Sequence, residues 1–219
     1  MASVWTRTVY PREDGVAFDR VVFFSDAVFA IALTLAAVEI GLPEVEGDPN
    51  SVADLWAALV AKGPTLLAFA VAFLWVAIYW RANHRFVMTL RAMDSRYVLG
   101  TLVFLALIAL LPIPAGVLGE YAGNPLAIAV FAVYASAVSG METVLFVLAL
   151  RGRLFLAQPE AAFARVQVLG SLSPVAVFLT SIPLAFVAPT LAVLWWLVGS
   201  MLAGFALSRV HAPPPEDSA

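Results

Sequence analysis

Apolar residues run along this chain in stretches of about 20, the length needed to cross a bilayer, and short polar connectors separate them. The windows predict six membrane spans: about Val21–Leu42, Ala57–Trp80 with a helical extension to Val87, Tyr97–Leu118, Pro125–Leu150, Val166–Phe186 and Pro189–Ser208. Pro183 and Pro189 are expected to bound the turn between the last two. The reading is all-α: an integral membrane protein whose channel-sized domain occupies residues 20–209. Residues 1–19 precede it as a cytoplasmic segment, and the proline-rich tail 210–219, "HAPPPEDSA" from His211 on, reads as disordered.

Charge placement orients the spans. Arg7, Arg12 and Arg20 precede the first; Arg81, Arg85, Arg91 and Arg96 lie between the second and third; Arg151, Arg153 and Arg165 lie between the fourth and fifth; Arg209 follows the sixth. The opposite loops carry Glu44, Glu46, Asp48, Asp54 and Glu120, with Lys62 as their cation. Basic loops stay cytoplasmic, so both termini are inside, in a multi-pass protein of the cell (plasma) membrane with the lipid bilayer as its surroundings.

Composition narrows the chemistry. The chain of 219 residues is 63% hydrophobic and 12% charged, with no cysteine and two histidines. Thiolate metal sites and cysteine nucleophiles are therefore excluded. Phosphate loops, HExxH and GxSxG are absent, and no nucleophile–base pair stands out; the expectation is no enzyme, no cofactor and no nucleic-acid partner. The carbonyl filter sequence TVGYG is also missing, so a pore would have to be lined by side chains.

The first span, within "DRVVFFSDAVFAIALTLAAVEIGLPE", is the candidate lining. At about 100° per residue, Ile31, Thr34, Leu35, Val38 and Leu42 share one stripe, which Phe24 and Ala27 continue toward the cytoplasm. Asp26 falls about 140° away from Ile31. Periodicity alone leaves this stripe open as an ordinary packing face. A charge at membrane depth costs at least ~2.5 kcal/mol on insertion scales, so Asp26 needs a partner. His84 or an arginine near the inner end of the second span is the expected one, through a charge-assisted hydrogen bond that locks the two helices together. Glu39, near the outer end of the first span, reads either as a mouth charge that attracts cations or as a solvated interface residue. Glu142 lies mid-span beside Ser136, Ser139 and Gly140, and either pairs with another helix or faces water.

The motif R-x-x-x-F-S-D, formed by Arg20, Phe24, Ser25 and Asp26, resembles the signature of the transmembrane-protein-175 family of potassium channels in its prokaryotic form. "WRANHRF" is similar to the family's stretch ending the second span, and "FLALIALLPIPAGVLGEY" to its third span with a proline-marked outer end. Ala27 stands where many relatives have glycine, and Asn83 where they often have a second histidine. The resemblance implies a homotetramer for a chain with a single motif, with the first helix around a central pore. It implies a constriction at Ile31, a hydroxyl layer at Thr34, further aliphatic layers at Leu35 and Val38, and permeant K+ passing near Ile31 and Thr34. It also implies that Arg20, Phe24, Ser25, Asp26 and His84 are structural. The resulting expectation is a potassium-favouring cation leak channel. A proton-coupled secondary transporter using Asp26, His84 or Glu142, or a membrane assembly protein without transport, are the alternatives.

Overall fold

The computed structural model describes residues 8–13, 15–38, 40–121 and 123–210, the side chains of 204–210 excepted. Two short strands, β1 (Val9–Pro11) and β2 (Ala92–Asp94), accompany eight helices. These are α1 (Val16–Val38), α2 (Val52–Ala61), α3 (Gly63–Val87), α4 (Ser95–Leu110), α5 (Pro112–Glu120), α6 (Pro125–Gly152), α7 (Ala161–Val187) and α8 (Pro189–Val210). Five stretches are long and apolar enough to cross a membrane: α1, α2 with α3, α4 with α5, α6 and α7. The described apolar part of α8, Pro189–Ala203, is shorter. Sheet ladders would leave open edges in hydrocarbon, whereas helices satisfy their own backbone groups, which is why apolar runs of this length become helices.

Two of the expected spans are broken. Val52–Val87 comprises 36 residues, about 54 Å at 1.5 Å per residue, longer than a ~30 Å hydrocarbon core. It divides at Lys62–Gly63, with Pro64 in the first turn of α3, where its missing N–H costs nothing. Lys62 does a second job there: its Nζ donates to Ile40 O at 3.1 Å. Gly41, with φ +63°, supplies the left-handed turn just past α1. The other break, between α4 and α5 at Leu111–Pro112, follows from the proline.

Pro183 is a correction. It lies inside α7 rather than at a turn, as does Pro174, whereas Pro189 opens α8. A proline frees the carbonyl four residues earlier; for Pro174 that carbonyl is Gly170 O, which accepts from Ser173 Oγ at 2.8 Å.

Helix α1 packs on α3 and α4, α4 packs on α6, and α6, α7 and α8 form the opposite side. Phe29, Tyr97, Phe104 and Ile108 fill the core around α1 and α4; Phe131, Phe178, Ala185 and Trp196 fill the one around α6 to α8. Tyr79 of α3 joins α6, its hydroxyl hydrogen-bonded to Ser139 Oγ (2.8 Å) and donating to Ala135 O (3.3 Å). Trp75 lies tilted against Phe178, with centroids 5.0 Å apart and planes 57° from parallel.

At the arginine-rich end the structure adds what hydropathy did not reveal. β1 pairs antiparallel with β2, Val9 opposite Asp94 and Pro11 opposite Ala92. The α3–α4 connector also bonds the α6–α7 connector, through Arg91 N to Leu154 O (2.8 Å) and Leu156 N to Thr89 O (2.9 Å). Arg12 closes the set: its N–H donates to Arg91 O at 2.8 Å, its guanidinium donates to Met88 O at 3.1 Å, and it lies 5.7 Å from the Phe18 ring. These arginines, legible in the sequence only as topology signals, also stitch three connectors together.

Because Tyr79 is 3% exposed, Tyr79→Phe strands Ser139 and Ala135 O in an apolar setting. It is expected to destabilise the fold by about 1–2 kcal/mol, measured as a lowered midpoint of unfolding in detergent. Tyr121→Phe, at an exposed position, is the control expected to leave it unchanged.

Candidate pore helix and its anchor

Helix α1 has two distinct sides. Phe18, Ser25, Phe29, Ala32 and Ala36 are buried, spaced by threes, fours and a seven, the repeat of one helix face. Small Ala32 and Ala36 let neighbouring helices approach closely, and Phe29 meets Phe104 of α4 with ring centroids 6.0 Å apart. The other side is uncovered within the chain: Phe24 is 52% exposed, Ile31 56%, Leu35 48% and Val38 75%. Thr34 is exposed too, and its hydroxyl donates back to Ile31 O at 2.8 Å. That bond directs the hydroxyl proton into the helix, so the oxygen's remaining lone pairs are free to accept from, or coordinate, whatever lies alongside.

The motif residues divide between these sides. Ser25 is buried, but its hydroxyl donates to Val21 O of its own helix at 2.8 Å and does not bridge to α3. Asp26 does reach α3, where Trp80 Nε1 donates to its Oδ1 at 2.8 Å. The expected His84 or arginine partner is therefore replaced by an indole. His84, one turn on, stacks against Trp80 with centroids 5.4 Å apart and planes 27° from parallel, so it supports the donor rather than supplying it. The i, i+4 spacing of Trp80 and His84 was the available signal; the hydrogen bond was missed because an indole N–H carries no formal charge to match against a carboxylate. Arg20 is exposed and, eleven residues before Ile31, lies on the uncovered stripe rather than beside Asp26. Glu39 lies outside the described residues. Of the acidic outer-loop residues, Glu44, Glu46 and Asp54 line a shared recess, in which Asp54 accepts from Asp48 N at 3.1 Å and from no charged donor.

Residues 20–112 match the family model described as the endosomal/lysosomal potassium channel TMEM175. This segment is thus similar to the transmembrane-protein-175 family over 93 of the chain's 219 residues. The matched residues take in α1, α3 and α4, and so contain both the uncovered stripe and the Asp26–Trp80 anchor. Among curated proteins, a potassium channel of Streptomyces collinus is 36% identical over 102 residues, covering 47% of this chain and 48% of that one. A potassium channel of Chamaesiphon minutus is 33% identical over 121 residues, covering 53% and 56%. The chain thus spans about half the length of the curated relatives it matches. In structure it is similar to the crystal structure of a lysosomal potassium-selective channel TMEM175 homologue from Chamaesiphon minutus, with TM-score 0.71 and 23% identity over 87% of this chain and 98% of that one. A variant of the potassium channel MtTMEM175 gives TM-score 0.63 and 17% identity, covering 87% and 92%. At these identities the likeness shows the fold alone, and it takes in 87% of this chain.

The anchor makes two substitutions informative. Trp80→Phe removes the donor while keeping a ring for His84, leaving Asp26 unpartnered; the expected cost is about 1–3 kcal/mol, read from thermal unfolding in detergent. Asp26→Asn retains an acceptor oxygen at the same place and should cost less than Trp80→Phe. The reverse order would mean that the indole–carboxylate bond does not hold α1.

Proposed function

We propose that the protein is a homotetrameric, potassium-favouring cation channel of the cell membrane, with four copies of α1 around a central pore. The observation that carries this reading is the uncovered stripe of Phe24, Ile31, Thr34, Leu35 and Val38, on a different side of α1 from its packed face. Such a stripe needs lipid or other subunits against it, and it holds a hydroxyl-bearing residue within an otherwise aliphatic row. The names of the relatives as potassium channels and the family match over residues 20–112 support the second choice.

In this reading Ile31 forms a ring of four aliphatic side chains. A narrow apolar ring excludes water, and a hydrated ion meets a barrier there until the ring widens. Thr34, one turn outward, offers hydroxyl oxygens in place of lost water ligands. With side chains instead of a carbonyl cage, selectivity rests on those hydroxyls and on the width of the ring. Asp26, bonded to Trp80 on the packed side, holds α1 at a set angle and does not touch the ion. Transport is passive and follows the electrochemical gradient, and the protein carries out no enzymatic step.

The test is flux from liposomes loaded with purified protein. Ile31→Asn, which wets the constriction, is expected to raise potassium flux by about tenfold, a barrier lowered by ~1.4 kcal/mol; unchanged flux and selectivity would remove Ile31 from the pore. Thr34→Ala is expected to lower the potassium-to-sodium permeability ratio under bi-ionic conditions, and an unaltered ratio counts against coordination by Thr34. Flux that saturates and carries protons in fixed proportion would point instead to a coupled transporter.

A further inference from the structure

A second polar feature lies inside the subunit, away from the α1 stripe. Helices α3 and α6 are joined by Tyr79 and Ser139. One turn beyond that seam, toward the arginine-bearing end, a cavity of about 310 Å³ opens between α3, α6 and α7. Asn83, Phe86, Glu142, Phe146, Gln167 and Ser171 line it. Helix α6 ends at Gly152, so at 1.5 Å per residue Glu142 sits about 15 Å from that end, well within the hydrocarbon depth.

The wall chemistry is divided. One part is aromatic and aliphatic, with Phe86 and Phe146. The other carries Glu142, two carboxamides and the Ser171 hydroxyl, which is fixed by accepting from Thr143 Oγ1 at 2.9 Å and donating to Val168 O at 3.0 Å. Asn83 is the informative member. It is 7% exposed, yet among the described residues its amide has no hydrogen-bond partner, and it belongs to the cavity lining. Its amide is not sealed inside protein, so it can meet whatever the cavity holds. Glu142 is the only charged side chain in the lining, so a carboxylate there has no cation supplied by the wall.

The volume indicates the size of the occupant. A water claims about 30 Å³, so the space exceeds what one bare ion requires and falls at the lower end of small-molecule sites, which run from about 300 Å³ upward. A second recess of about 390 Å³, lined by Arg85, Thr89, Phe155 and Phe163 among others, shares Ala82, Phe86, Phe146 and Gln167 with the first. The two therefore join into one groove that leads from the arginine-bearing surface to Glu142. Its entrance combines aromatic rings with Arg85, and its far end carries the Glu142 carboxyl group.

We propose that this groove binds an organic ammonium with an apolar body, its nitrogen at Glu142 and Asn83 and its apolar part against the Phe86 and Phe146 rings. An ammonium has N–H donors for the carboxylate and for the amide oxygens, and its charge is further met by the aromatic faces.

Phenethylamine is the probe, titrated calorimetrically into the purified full-length protein in detergent, with phenethyl alcohol as its uncharged counterpart. The amine is expected to bind saturably, one per chain, and the alcohol at least about tenfold more weakly. Glu142→Gln is expected to weaken the amine by at least the same factor. Ala82→Phe, which adds a ring where the two recesses meet, tests the site without altering its charge and should abolish binding; it decides the matter if Glu142→Gln does not fold. No saturable binding to the wild-type protein, equal binding of amine and alcohol, or wild-type affinity in Ala82→Phe would overturn the proposal. Competition by vesicles containing phosphatidylethanolamine, but not by phosphatidylglycerol vesicles, would identify a lipid headgroup as the source of the ammonium; lack of competition would identify a free amine. The readout involves no ion flux, so its failure leaves the channel reading standing, and failure of that reading leaves this site standing.

Discussion

Helix α1 is apolar on nearly every side, and one chain covers only half of it. The face of Phe18, Phe29, Ala32 and Ala36 is sealed against α3 and α4, while Ile31, Leu35 and Val38 stay uncovered. Which half is sealed depends on how the helix is rotated about its axis. An apolar helix in an apolar solvent has little to set that rotation, since lipid tails and leucines are equally good neighbours. A directional bond does set it, and α1 has one reaching across to another helix: Trp80 Nε1 to Asp26 Oδ1. Turning α1 by one residue's angle would break that bond and leave a carboxylate in hydrocarbon.

The same logic runs through the rest of the molecule. Many hydroxyls at membrane depth bond back to their own helix, but several polar groups are spent as helix-to-helix bonds: Tyr79 to Ser139, Tyr134 to Leu107 O, Thr143 to Ser171, Trp196 to Ser181. Each fixes one helix against another where packing alone would permit sliding. The arginine-bearing end is fixed differently, by backbone pairing of β1 with β2 and by the Arg12 bonds to the α3–α4 connector. Trp80 and Asn83 show how α3 serves two neighbourhoods. Trp80 holds α1, while Asn83, three residues on, lines the cavity toward α6 and α7.

The amino-acid sequence by itself determined the spans, because a run of apolar residues of bilayer length has no alternative to a helix. It also determined which face of α1 holds Ile31, Thr34, Leu35 and Val38, because 3.6-residue periodicity is a property of the helix alone. The motif around Asp26 lies within residues 20–112, the segment that matches the family model. What only the tertiary structure decided were the pairings between residues far apart in the chain. Hydropathy assigned Asp26 a partner by charge and so favoured His84, whereas the spatial neighbour is Trp80, 54 positions away. Pro183 looked like the end of a helix because proline lacks a donor, but packing of α7 against α6 and α8 carries the helix through it. The β1–β2 ribbon joins three-residue segments about 80 positions apart, too short to show a period and held only because the helices bring them together. Asn83 and Glu142 each looked like an isolated polar residue in the sequence; their shared cavity exists only because α3, α6 and α7 meet there.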